Sequence, residues 1–241
     1  MNYKLLESSL KAVDKDGENN EKTIVFLHGW GENASAFLFV AKRLKEQGFT
    51  CVLPDFAGFG ETPEPEYVYT VNDYTSDVLR LLDNLGIKRA IFVGHSFGGR
   101  VCIDIAANYK ERVQKLVLVD SAGCRPRRKP QYYFKVFLHK ILRKLGFEGL
   151  KGSSDYRMLS PVMKQTFKNV VNHFQDDDLI RIDCETAIFW GKEDKDTPPF
   201  MARRIAKRVQ NSSLFWLEGG HFGYVTDFER FFAVLSAFLR G

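Results

Sequence analysis

The sequence predicts an α/β fold: a mostly parallel eight-stranded sheet with helices on both faces and a small helical insertion after the sixth strand. Three observations lead there. Short apolar runs alternate with longer stretches of helical period. The runs are apolar throughout, as strands buried on both faces must be. The alternation then stops for some 60 residues after Gly123 before it resumes.

Each element has its own signal. "NYKLLES" and "LKAVDKDG" read as an opening strand pair, and "TIVFLHGW" as a buried strand ending in a glycine turn. "SAFLFVAKRLKEQG" has helical period and a terminal glycine, Gly48. "FTCVLPDFAG" is a strand and turn, and "VNDYTSDVLRLLDNLG" a helix stopped at Gly86. "RAIFVGHS" hands over to the helix "GGRVCIDIAANY", and "VQKLVLVDSAG" is the next strand. After the interruption come the strand "ETAIFWGKED", the helix "PPFMARRIAKRVQ", the strand "SSLFWLEGGH" and the helix "FERFFAVLSAFLRG". Residues 1–123 and 184–241 therefore read as one core, and 124–183 as an insertion capping the sheet edge where the loops after the strands emerge.

Composition sets outer bounds. The 241 residues suit one large domain, and 44% apolar with 27% charged residues is normal for a soluble globular protein. A net charge of +5 does not call for a nucleic-acid partner. The four cysteines, Cys51, Cys102, Cys124 and Cys184, are widely spaced and form no metal or redox motif. They read as reduced, and the chain as cytoplasmic. The polar opening stretch has no signal-peptide core, and no apolar run approaches the roughly 20 residues of a membrane span.

The chemistry concentrates at the turns. Gly94-His95-Ser96-Phe97-Gly98 lies between a strand and a helix. A turn that sharp strains the serine backbone and lifts its hydroxyl above the sheet, beside a helix N-terminus that suits a developing oxyanion. A serine hydroxyl needs a base, and the base needs an orienting carboxylate. Of the five histidines, His28 lies within its own turn, His95 should be pointed away by the elbow, and His139 and His173 fall in the insertion. His221, after "WLEGG", ends a strand on the same edge as Ser96 and is the best base. For the carboxylate, "IFWGKEDKDTPP" offers Asp194, three residues after the glycine that ends the strand. Asp196 is the close alternative and Asp120 a more distant one. The turn "FLHGWGEN" supplies a second backbone donor: the N–H groups of Trp30 and Phe97 form the expected oxyanion hole, each donor contributing about 3 kcal/mol to the transition state.

These residues carry a resemblance. His28-Gly29-Trp30-Gly31, Asp55 to Gly60, Gly94 to Gly99, Gly191 to Asp194 and Gly219-Gly220-His221 follow one another as in the α/β-hydrolases. The chain resembles their compact capped branch, which includes bacterial carboxylesterases and meta-cleavage carbon–carbon hydrolases. Ala57 and Thr62 depart from the residues frequent in relatives, without touching chemistry. Haloalkane dehalogenases and epoxide hydrolases place aspartate at the elbow, so Ser96 sets this chain apart from them. The resemblance implies a Ser96–His221–Asp194 triad working through an acyl-enzyme, with no metal and no organic cofactor. It implies a small-molecule substrate, foremost a carboxylic ester with an apolar acyl group. Carbon–carbon hydrolases and a menaquinone-pathway synthase, which shares Gly98-Gly99-Arg100, are the alternatives, and a non-catalytic binding protein on this fold is a remote one.

The insertion opens on "RPRRKPQYYFKVFLHKILRKLGFEGLK", with nine Lys or Arg and one acid. A helix there puts Tyr133, Phe134, Phe137, Leu138, Ile141, Leu142 and Leu145 on one half and basic residues on the other. Such a helix suits contact with an anionic membrane surface or steering of an anionic substrate. The plainer reading is a cap helix whose apolar face roofs the pocket. "SPVMKQTFKNVVNHF" reads as a second cap helix with Ser160 as N-cap and Pro161 at its first position.

Overall fold

The computed structural model describes residues 1–8, 22–127 and 158–241. Seven strands form one sheet: β1 (Tyr3–Leu6), β2 (Thr23–Leu27), β3 (Thr50–Pro54), β4 (Ala90–His95), β5 (Val113–Val119), β6 (Thr186–Gly191) and β7 (Ser212–Leu217). Their order is β1-β3-β2-β4-β5-β6-β7. β1 pairs antiparallel with β3, and every other pair is parallel. The sheet thus has seven strands among the described residues where eight are expected. The additional strand, over residues 10–17, lies outside the described residues. By the same count the insertion follows the fifth described strand and not a sixth.

Strands covered on both faces need side chains that are apolar on both. In β2, Val25 and Leu27 enter one core while Ile24 and Phe26 enter the other. The first core is closed by α2 (Val71–Asn84), α3 (Phe97–Asn108) and α5 (Phe200–Arg208), the second by α1 (Leu38–Lys45) and α6 (Phe228–Arg240). α2 begins where Thr70 and Asp73 cap each other reciprocally, with the Thr70 N–H donating to Asp73 Oδ2 at 2.7 Å. It ends at Gly86, whose φ of +71° only glycine adopts without strain.

In the insertion, α4 (Pro161–Asn172) starts as its sequence dictates: Ser160 Oγ accepts the Met163 N–H at 3.1 Å, and Pro161 is the first helical residue. Thr166 Oγ1 accepts the Tyr69 N–H at 3.0 Å, which docks α4 on the loop before α2. The basic amphipathic stretch falls on residues 128–157 for the most part and lies outside the described residues. No helix among the described residues is long and apolar enough to cross a membrane. The four cysteines are free.

The chain leaves β2 toward β3 on one side, then returns to β4 on the other. β2 and β4 are neighbours, so this reversal opens a crevice above their C-terminal ends, where ligands of open α/β sheets bind.

Candidate active site

The elbow stands at that crevice. Ser96 has φ 50° and ψ −110°, a conformation costing on the order of 1–3 kcal/mol for a non-glycine residue. Main-chain bonds on both sides hold it: Ser96 N–H donates to the Val119 carbonyl at 3.0 Å, and the Ala122 N–H to the Ser96 carbonyl at 2.9 Å. The glycines are there for space. A Cβ on Gly98 would overlap the Leu27 carbonyl oxygen, and one on Gly94 would meet the Gly98 carbonyl.

Two further turns carry the other groups. After β6 the chain turns at Gly191, whose Cα lies so close to the Gly220 carbonyl that a Cβ would collide with it. This approach brings Asp194 beside His221 from the turn after β7. His221 Nδ1 lies 2.8 Å from Asp194 Oδ2. Asp194 Oδ2 also accepts the Thr197 hydroxyl at 2.6 Å, and Oδ1 accepts the N–H groups of Asp196 at 2.8 Å and Thr197 at 2.9 Å. Burial alone would raise the Asp194 carboxyl, but the bonds from His221 and Thr197 outweigh it and hold it below the ordinary aspartate value. Asp196 is exposed and offers Asp194 only its main-chain N–H.

Asp120 is fully buried at φ 44°, with Oδ1 accepting the Gly191 N–H at 2.7 Å and Oδ2 unpartnered among the described residues. Burial, with Asp194 nearby, pushes its carboxyl up to about 9, against the pull of the Gly191 bond. It is a neutral acid beneath the turn, and His221 bonds Asp194 instead.

Ser96 and His221 open on one cavity of about 640 Å³, lined also by Trp30, Phe97 and Asp196. Among the described residues their side chains are not hydrogen-bonded to each other. Such contacts are commonly long before substrate binds. The Trp30 and Phe97 N–H groups donate to no described residue, so both are available to a ligand oxygen. The Trp30 indole is wedged among Phe59, Phe97 and Phe167, at ring distances of 4.8, 5.5 and 5.1 Å. His28 stays in its turn as a brace: Nε2 accepts the Phe56 N–H at 3.1 Å, and burial lowers its basicity. Phe167, Val170, Val171 and Phe174, from the insertion, wall the cavity on one side.

Three residues that matter to this geometry have roles that the sequence reading misses. Thr197 is one; its signal is the aspartate three residues earlier, since such a spacing forms a side-chain-capped turn. Arg100 is another. It lines the cavity at 6% exposure, bonds the His173 carbonyl, and leaves Nε without a partner among the described residues. Its signal is the helix itself, apolar on every face, in which any polar residue must be buried. The third is Glu32, whose Oε2 lies 2.9 Å from His95 Nδ1 and accepts the Gly29 N–H at 2.8 Å. No local pattern reveals it.

Comparison with known proteins agrees with this architecture. A family model described as the alpha/beta hydrolase fold matches residues 22–141. A protein of Mycobacterium phage D29, named among the non-heme haloperoxidases, is 42% identical over 42% of this chain, and the match spans 36% of that protein's length. An esterase from Exiguobacterium antarcticum superposes with a TM-score of 0.77 at 21% identity, covering 99% of this chain and 95% of its own. A mutant of the meta-cleavage product hydrolase CumD from Pseudomonas fluorescens IP01, complexed with acetates, gives 0.73 at 20% identity, covering 99% and 93%. With its sheet order, its elbow after β4 and the model matched over residues 22–141, the chain has the alpha/beta hydrolase fold.

Proposed function

We propose that this chain is a serine hydrolase that cleaves carboxylic esters through an acyl-enzyme. The observation that carries the reading is the 2.8 Å His221–Asp194 bond at the wall of the cavity into which strained Ser96 opens. His221 Nε2 takes the Ser96 proton as Oγ attacks the ester carbonyl. The Trp30 and Phe97 N–H groups hold the oxygen that becomes negative, a stabilisation that grows only as the transition state forms. Asp194 keeps Nδ1 protonated, so Nε2 is free to accept, and it stabilises the imidazolium that follows. That imidazolium protonates the leaving alcohol, and water activated by the same nitrogen releases the acid. No step needs a metal or an organic cofactor.

The cavity wall of Phe167, Val170, Val171, Phe174 and Met201 suits an apolar acyl group. Residues 124–183 act in this reading as the cap that places those side chains. A carbon–carbon hydrolase would use the same groups. A chain-length series of p-nitrophenyl esters tests the proposal: turnover should pass through an optimum at a medium acyl length and vanish in Ser96→Ala. No turnover at any length would reject the ester reading.

A further inference from the structure

His95 adjoins the proposed nucleophile, yet it faces away from the cavity and is 1% exposed. Each of its ring nitrogens meets an acceptor. Nε2 lies 2.8 Å from the main-chain carbonyl oxygen of His221, and Nδ1 lies 2.9 Å from Glu32 Oε2. A carbonyl oxygen only accepts, so Nε2 must carry a proton. Glu32 Oε2 already accepts the Gly29 N–H at 2.8 Å. Burial pulls the Glu32 carboxyl upward, but the His95 and Gly29 bonds prevail and leave it below the ordinary glutamate value. An ionised carboxylate also only accepts, so Nδ1 must carry a proton too. A neutral imidazole has one N–H; two make an imidazolium.

We infer that half-buried Glu32 and buried His95 form a carboxylate–imidazolium pair that positions the site from behind. His95 pins the main chain of His221, and Glu32 pins the turn that presents the Trp30 N–H. The pair connects three separate loops: the one after β2, the elbow after β4 and the one after β7. Glycine at position 29 is part of the fit, because a Cβ there would run into Glu32 Oε2 and His95 Nδ1. Around His95 stand the ring of His221 at 4.8 Å, Phe222 at 5.2 Å and Tyr224 at 5.0 Å. His28 faces the pair from the end of β2. Glu32 is the one carboxylate within 4.0 Å of the His95 ring among the described residues.

The arrangement predicts a loss of function on the alkaline side. When the pair gives up its proton, the N–H that stays is the one facing the carboxylate. Nε2 then turns a lone pair on the His221 carbonyl, and the tie breaks. Glu32→Gln probes the pair. The amide oxygen must take the Oε2 place, where it accepts the Gly29 N–H and faces Nδ1, and the amide nitrogen takes the Oε1 place, away from both. With the carboxylate charge gone, a single ring proton on His95 can serve the amide oxygen or the His221 carbonyl but not both, so the tie to His221 weakens.

The experiment joins spectroscopy with kinetics. In protein carrying ¹⁵N-histidine, one histidine should keep both ring nitrogens protonated at pH 7.5, and in Glu32→Gln it should become singly protonated. The alkaline limb of kcat should lie at lower pH in Glu32→Gln than in the wild type. Glu32→Ala should lower kcat about 10- to 100-fold with KM within about threefold, as a displaced base does. A wild-type protein with every histidine singly protonated at pH 7.5 overturns the proposal, and so does an unchanged alkaline limb in Glu32→Gln. The kinetic consequence rests on the serine-hydrolase reading, whereas the spectrum does not. A doubly protonated histidine in a protein without esterase activity would keep the pair and reject the hydrolase.

Discussion

Asp194→Asn tests the site with almost no change of shape, and the structure dictates how the new amide must lie. Asp194 Oδ1 accepts two main-chain N–H groups, from Asp196 and Thr197. Turning an NH₂ toward them would leave those buried donors facing a donor, so the amide oxygen takes the Oδ1 place. The amide nitrogen then faces His221 and the Thr197 hydroxyl. Thr197 can adapt, because its hydroxyl also lies 3.0 Å from the Asp120 carbonyl and can donate there while accepting from the amide. His221 cannot adapt without loss: Nδ1 must become the acceptor, which moves the ring proton to Nε2 and removes the base. A wrong tautomer of this kind costs about 10⁴-fold in kcat, or roughly 5.5 kcal/mol of barrier. The assay is steady-state hydrolysis of a p-nitrophenyl ester, with circular dichroism and thermal melting to establish that the variant is folded. KM should hold within a few-fold, since Asp194 makes no contact with the cavity. A kcat reduced less than tenfold in a folded variant would refute the reasoning, as would a larger loss in Asp196→Asn.

Other expectations follow from single contacts. Asp120, at about 9 against an ordinary 3.8, holds a proton when folded that the unfolded chain releases; wild-type stability should therefore decline as pH rises through the window between those values. Asp120→Asn removes that decline, so its Tm relative to wild type should climb from pH 5 to pH 9, whereas parallel Tm curves would show Asp120 ionised. Gly98→Ala drives a Cβ into the Leu27 carbonyl and should destabilise far more than Gly86→Ala, which has φ +71° but nothing within 4 Å and should cost about 1–2 kcal/mol; equal melting losses would contradict the packing argument. Arg100 is the one Lys or Arg among the described cavity-lining residues, so Arg100→Met should harm turnover of an ester whose acyl chain ends in a carboxylate more than that of its neutral analogue. Equal losses would mean that Arg100 serves only to hold the His173 carbonyl.

What the sequence disclosed was local. The elbow could be read because strand, glycines, serine and helix lie within about a dozen residues, and each leaves a steric signature in its neighbours. The N-cap at Ser160 and the stop at Gly86 are of the same kind. The carboxylate was harder, because Asp194 and Asp196 occupy one turn. Their difference is made by a close approach of Gly191 to Gly220, which no periodicity encodes. Glu32 and His95 lie 63 positions apart and meet only through the order of β2 and β4 in the sheet. Arg100 was visible as a residue but not as a buried charge, since its environment is built by the segment around His173 on a different part of the chain.

The central claim is that Ser96 is a nucleophile activated by His221. A fluorophosphonate probe tests it most directly, with the adduct located by peptide mass spectrometry. A single adduct should form on Ser96, be lost in Ser96→Ala and be slowed at least a hundredfold in a folded His221→Ala. No adduct on the folded wild-type protein, or an adduct on Ser96 that forms equally fast without His221, would contradict it.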